Sequence, residues 1–154
     1  MTNTSLDRIS PAKNIAKEPF ISVMRELARA YQAFSHYSAE HIRHAGLTPA
    51  QFDVISTLGN TQGMPLHKLA DKTLITKGTL TGVIDRLESK GLLQRVVPAG
   101  NRRSFMAVLT PAGEELFNEI FPAHIAYLKQ RFDALSEKEM EVAATVLTRL
   151  RELF

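Results

Sequence analysis

Two short stretches of this chain carry side chains in patterns suited to recognising a polyanion. In Thr76-Lys77-Gly78-Thr79-Leu80-Thr81-Gly82-Val83-Ile84-Asp85-Arg86-Leu87, the residues Leu80, Val83, Ile84 and Leu87 recur at the 3.6-residue period of a helix and define its inner face. The outer face then holds Gly78, Thr81, Gly82 and Asp85, with Lys77 and Arg86 on the flanks. A solvated helix normally displays long charged side chains there. Glycine in mid-helix costs about 1 kcal/mol relative to alanine, so two glycines beside small hydroxyls point to a backbone that must approach a groove floor. Threonine can meet a thymine methyl or a base-edge polar group, and the N–H groups that follow Thr76 can donate to a phosphate. The second stretch, Gly100-Asn101-Arg102-Arg103, sets two guanidinium groups at a turn, which suits a narrow, electronegative minor groove and its phosphates. The candidate DNA-contacting residues are therefore Thr76, Lys77, Gly78, Thr79, Thr81, Gly82, Arg86, Asn101, Arg102 and Arg103.

The distribution of charge agrees. Between His67 and Arg103 eight basic residues face three acidic ones, a net +5, whereas the whole chain carries +3. The remainder is thus negative, and positive charge concentrates where a phosphate footprint would need it.

The elements that must position these residues follow from hydrophobic period and capping. Met1 to Pro19 is polar and holds Pro11 and Pro19, which predicts a flexible arm over 1–19. From Phe20, an apolar stripe through Met24, Leu27, Tyr31, Phe34, Ser38, His41 and Ala45 predicts a long helix ended by Gly46. Thr48-Pro49-Ala50-Gln51 is a capping box with proline at the first helical position, opening a helix with Phe52, Ile55 and Leu58 inward. Gly59 to Pro65 reads as a loop. A short helix on Leu66, Leu69 and Ala70 follows, then a turn near Leu74-Ile75, then the helix from Thr76 that Gly91 stops. Leu92–Val97 and Arg103–Leu109, around Pro98-Ala99-Gly100-Asn101, predict a β-hairpin. A helix from Thr110-Pro111 carries Phe117, Ile120, Phe121, His124, Leu128 and Phe132 on one side. Ser136-Glu137-Lys138-Glu139 caps a last helix with Met140, Ala143, Val146, Leu147, Leu150 and Phe154. Two short helices, a tight turn and a hairpin are the parts of a winged helix-turn-helix. The fold class is mainly α with a small β-hairpin wing, flanked by long N- and C-terminal helices.

These residues also resemble a known family. The run from Thr76 to Leu93, then Arg95, then Asn101-Arg102-Arg103, then Val108-Leu109-Thr110-Pro111-Ala112-Gly113 is similar to the MarR family of bacterial winged-helix transcriptional regulators, and the element order extends the likeness from about Phe20 to Phe154. The resemblance implies one domain over 20–154, with dimerisation helices at 20–45 and 111–154 and a winged-helix DNA-binding lobe at 48–110. It implies a homodimer on a pseudo-palindromic double-stranded operator, a recognition helix from Thr76 to Lys90, a wing at Asn101 to Arg103, and repression relieved by a small aromatic or anionic effector. Two positions depart from the family pattern. The wing generally has aspartate where Asn101 stands, so the hydrogen bond to a wing arginine would here lack charge. Many members have arginine where Gly82 stands, and this chain has no side chain there to make that contact.

Other chemistry is less well supplied. Tyr37, His41, Phe52 and Phe117 are the candidate lining of an effector pocket where the first, second and fifth helices would meet. His41 and His44 share a helix face, but zinc needs three or four convergent ligands and the later helices offer only His124, so no metal site is assigned and a metal-responsive regulator is the lesser alternative. A winged-helix module that binds protein instead of DNA is the other. No nucleophile elbow, His-Glu-x-x-His or phosphate-binding glycine loop occurs, which argues against an enzyme, and no cofactor is implied. There is no cysteine, so thiol redox sensing and thiolate metal sites are excluded. No apolar run reaches the roughly 18 residues of a membrane span, and the first twenty residues are too polar for a signal peptide. A cytoplasmic protein with no membrane partner is expected.

Overall fold

The computed structural model describes residues 15–100 and 104–154, so Asn101, Arg102, Arg103 and most of the expected arm lie outside the described residues. The chain divides after Tyr37 into two compact units. Helix α1 (Pro19–His44) contributes residues to both. In the first unit its predicted stripe, Phe20, Met24, Leu27, Tyr31 and Phe34, is more than 40% exposed at every position.

The second unit holds the core. After α1 come α2 (Pro49–Leu58), β1 (Met64–Pro65), α3 (Leu66–Lys72), α4 (Lys77–Ser89), β2 (Leu93–Val96), β3 (Met106–Leu109), α5 (Pro111–Phe132) and α6 (Glu137–Arg151). Local chemistry explains most boundaries. Gly46 takes the left-handed conformation (φ 75°) that ends α1, as expected of a glycine just past a helix. At α2 the capping box is complete: Gln51 N–H donates to Thr48 Oγ1 at 3.2 Å and Thr48 N–H donates to Gln51 Oε1 at 3.1 Å. Ser136 and Glu139 repeat it at α6, with distances of 3.2 and 2.8 Å.

The hairpin gains a third strand. Gly59 to Pro65 is not wholly loop, because Met64 and Pro65 pair with Ala107 and Met106, giving an antiparallel sheet in the order β1-β3-β2. Gly63 admits the chain to this edge: at φ 92° its Cα lies so close to β3 that an added Cβ would stand 2.6 Å from the Ala107 carbonyl oxygen. Leu58, Leu69, Leu80, Ile84, Leu87, Leu93 and Ala107 are almost wholly buried between α2, α3, α4 and the sheet. Burying each large aliphatic side chain contributes roughly 1.5–3 kcal/mol, and this shared core fixes α4 against the hairpin. By contrast α6 has no buried residue in the single chain. No helix among the described residues is long and apolar enough to cross a membrane.

Candidate functional site

Helix α4 presents the predicted face. Leu80, Val83, Ile84 and Leu87 are buried, while Thr76, Lys77, Gly78, Thr79, Thr81, Asp85 and Arg86 are exposed and Gly82 is half-buried. A Cβ added at Gly78 or Gly82 would meet nothing within 4 Å, so internal packing does not explain either glycine. The N-terminus of this helix is also left open. Thr48, Thr110 and Ser136 each accept a hydrogen bond from the backbone of the helix they begin. Thr76 does not; its hydroxyl donates to Thr79 Oγ1 at 3.1 Å instead. A missing cap of this kind forgoes about 1 kcal/mol and keeps first-turn N–H groups available to an anion.

The outer face is held in place by contacts that the charge count did not distinguish. Arg95, on β2, reaches back to α4, bonding Asp85 at 2.5 Å and pairing with Glu88. Its guanidinium also lies 5.1 Å from the centre of the Phe105 ring. The hydrogen bond to Asp85, with that to Glu88, raises the Arg95 pKa above its already high ordinary value despite partial burial. Lys90 donates to the Gly46 carbonyl at 3.2 Å. Two members of the positive segment are thus engaged within the fold, and Asp85 serves as an anchor for the wing strand. Across the turn between α3 and α4, Asp53 of α2 accepts the Leu74 N–H at 3.0 Å, fixing the angle at which α4 leaves.

A cleft of about 230 Å³ opens elsewhere in the second unit, between the end of α1, α2 and α5, lined by His41, His44, Phe52, Glu119, Ile120 and His124 among others. His124 is 2% exposed. Its Nε2 lies 3.0 Å from Ser38 Oγ and its Nδ1 lies 3.0 Å from His41 Nδ1. Phe52 meets its ring edge-on at 4.6 Å, and His41 stacks on Tyr127 at 4.4 Å. Burial, and secondarily the neighbouring His41, hold the His124 pKa below the ordinary imidazole value.

Comparison with known proteins places this geometry. The family model described as MarR matches residues 47–105. The HTH-type transcriptional regulator MhqR of Bacillus subtilis is 37% identical over 124 residues, covering 80% of this chain and 86% of that protein. The chain belongs to the MarR family. Among solved structures it is similar to BpsR of Bordetella bronchiseptica, whose DNA binding is described as regulated by 6-hydroxynicotinic acid, with 29% identity, 84% of this chain and 98% of that one covered, and a TM-score of 0.76. It is also similar to NadR in complex with 4-hydroxyphenylacetate, at 26% identity, covering 83% of this chain and 91% of that one, with a TM-score of 0.68. The MarR family is one of transcriptional regulators, and the winged helix-turn-helix fold class stands.

Within this MarR-family frame, the sequence-derived residues separate into those that converge and those that do not. Lys77, Gly78, Thr79, Thr81 and Arg86 lie on the exposed side of α4 with the N-cap Thr76, and Gly82 is half-buried among them. His41 and Phe52 line the cleft. Phe117 does not: it is buried, stacked on Phe121 at 5.1 Å, and it fills the space over Gly59, where a Cβ would come within 2.4 Å of its ring. Tyr37 belongs to the first unit. Sequence reasoning missed the Arg95 anchor, the Asp53 contact and the His41–His124 pair. The first had a signal, since a carboxylate on a face meant for phosphate requires a nearby cation. The other two join residues with no local relation.

Proposed function

We propose that this protein is a homodimeric repressor that binds an imperfect palindrome in double-stranded DNA and is released by a small hydroxylated aromatic acid. The observation that carries the reading is the α4 face: small, glycine-bearing, uncapped and backed by a rigid core, in a chain of the MarR family. Thr79 and Thr81 face base edges, while Lys77, Arg86, Arg102, Arg103 and first-turn N–H groups hold phosphates. Thr76, Gly78, Gly82 and Asn101 complete the contact surface. Residues 48–110 act as the DNA-binding lobe, and 20–45 with 111–154 as the dimerisation region. Dimerisation is supported by apolar residues the single chain leaves open, including Val142, Val146 and Leu147 of α6, since exposed apolar surface of that extent favours a partner. The effector reading rests on the cleft, whose aromatic and aliphatic wall with a few polar groups has the character of a small-molecule site, and on the hydroxylated aromatic acids named with BpsR and NadR. His41 and Phe52 belong to the proposed pocket, with Tyr37 as a further candidate; Phe117 does not.

Binding to duplex DNA measured against salt tests the core of this reading. Two recognition helices in successive major grooves require half-sites about 34 Å apart. Arg103→Ala should weaken binding to all sequences and flatten the salt slope by roughly one or two counterions per dimer. Duplex affinity that is no stronger for any sequence in a randomised library than for bulk DNA would overturn the assignment.

A further inference from the structure

We propose that His41 and His124 act as a single-proton pair that couples occupation of the cleft by a monoanionic ligand to the uptake of one proton. This rests on the reading of the cleft as the effector site and adds the ligand's charge and a regulatory input. A hydrogen bond between two imidazole Nδ1 atoms needs one N–H and one bare nitrogen. Were both rings cationic, two N–H groups would confront each other at the observed 3.0 Å. The pair therefore holds no extra proton or one, never two, while the contact lasts.

The surroundings place that proton. His124 is almost wholly buried beside Phe52, and burial holds it neutral more strongly than the ordinary imidazole. His41 is half-buried, lines the cleft, and lies with its ring against the face of Tyr127, a favourable neighbour for a cation. In the charged state His41 Nδ1–H donates to His124 Nδ1, His124 Nε2–H donates to Ser38 Oγ, and His41 Nε2–H remains for a ligand.

The cleft holds few other charged or titratable groups, and of these only His44 can also take up a proton, which His41→Asn leaves in place. Among the described residues, neither lysine nor arginine contributes to the lining. From α1 comes His44, whose Nδ1–H donates to the Glu40 carbonyl at 2.9 Å. Besides His124, α5 supplies Glu119 to the lining, exposed and negative, and α2 supplies only Phe52; Tyr127 of α5 stacks on His41 from outside the lining. An anion entering the neutral cleft would meet no fixed cation and one carboxylate. With His41 protonated it meets a positive donor at an apolar wall of Ile42, Phe52, Ile120 and Ala123. By reciprocity, an anion that prefers the protonated pair raises the pair's proton affinity by the same factor. The volume, about 230 Å³, lies below the roughly 300–1,000 Å³ of drug-sized sites, so the ligand is a one-ring carboxylate or phenolate.

The experiment is calorimetric titration of the full chain with 4-hydroxyphenylacetate and with its uncharged amide. Buffers of different ionisation enthalpy are used from about pH 5.5 to about pH 8.5, the range in which histidine titrates. The acid should bind with uptake approaching one proton at the alkaline end, and its affinity there should fall about tenfold per pH unit. The amide should show neither effect. His41→Asn keeps a hydrogen-bonding atom near the Nδ1 position but cannot ionise, and it should abolish both uptake and slope. In parallel, the histidine ring nitrogens of the wild type, followed by NMR, should show one proton entering the pair, which decides the matter even if the variant fails to fold. Binding of the acid without proton uptake, or independent protonation of both rings, overturns the coupling and leaves the effector site standing. Failure of both compounds to bind at every pH overturns the two readings together.

Discussion

Replacing Gly82 by alanine should make the protein more stable and a worse DNA binder. Gly82 lies inside the 13-residue helix α4, and a Cβ there would meet no atom within 4 Å. No internal contact is disturbed, so the change reduces to helix propensity, a gain of about 1 kcal/mol. For a chain of this size that corresponds to a rise in Tm of roughly 2–4 °C. On DNA the same methyl group stands between the helix backbone and the groove. Holding the helix off by the thickness of a methyl should disturb neighbouring contacts from Gly78 to Arg86 and weaken binding by about tenfold or more, or about 1.4 kcal/mol. Urea denaturation at fixed protein concentration gives the first quantity, and fluorescence anisotropy on an operator duplex the second. A gain in stability with unchanged affinity would show that the glycine does not serve close approach. A loss of stability would mean that the residue is packed in a way the fold does not reveal.

Three other substitutions probe different parts of the fold. Gly113→Ala sets a Cβ 2.0 Å from the Leu92 carbonyl oxygen, a backbone clash that should cost about 3 kcal/mol or more; near-native urea stability would refute it. Arg95→Lys should alter stability by at most about 1 kcal/mol, because the ion pairs are partly exposed, yet weaken DNA binding, since an ammonium cannot span Asp85 and Glu88 as the planar fork does. Wild-type affinity in that variant would remove the anchoring role. His124, whose folded-state pKa is lowered first by burial and then by His41, contributes stability that is present above about pH 6.5 and is lost as pH falls through its lower folded-state value. The denaturation midpoint should therefore drop on acidification, and His124→Asn should flatten that slope; an identical slope in the variant would assign the acid sensitivity to other groups.

Much of the fold was legible because its signals are local. The capping boxes at Thr48 and Ser136 join residues three apart, and the inner face of α4 repeats within single turns. Helical and strand periods reveal such patterns without reference to the rest of the chain. The outer face of α4 was legible for the same reason: Asp85 lies outward as read, and what the period did not show is its bond to Arg95 across the turn into β2.

What periodicity cannot supply is the identity of the neighbour. The stripe on α5 placed Phe117 and His124 on one side of a helix, yet Phe117 closes the core beneath Gly59 while His124 meets His41 at the cleft. Met64 and Pro65 show no strand pattern; they are a strand because β3 offers unpaired backbone at Ala107 and Met106. The imidazole contact joins residues 83 positions apart, and nothing in either helix alone announces it. The amino-acid sequence by itself determined where helices begin and end, which faces are apolar and where positive charge gathers, because those depend on interactions within a turn or two. Only the tertiary structure decided which side chains share a cavity, which charges are already engaged and which rings touch, because those depend on how separately legible faces pack around one core.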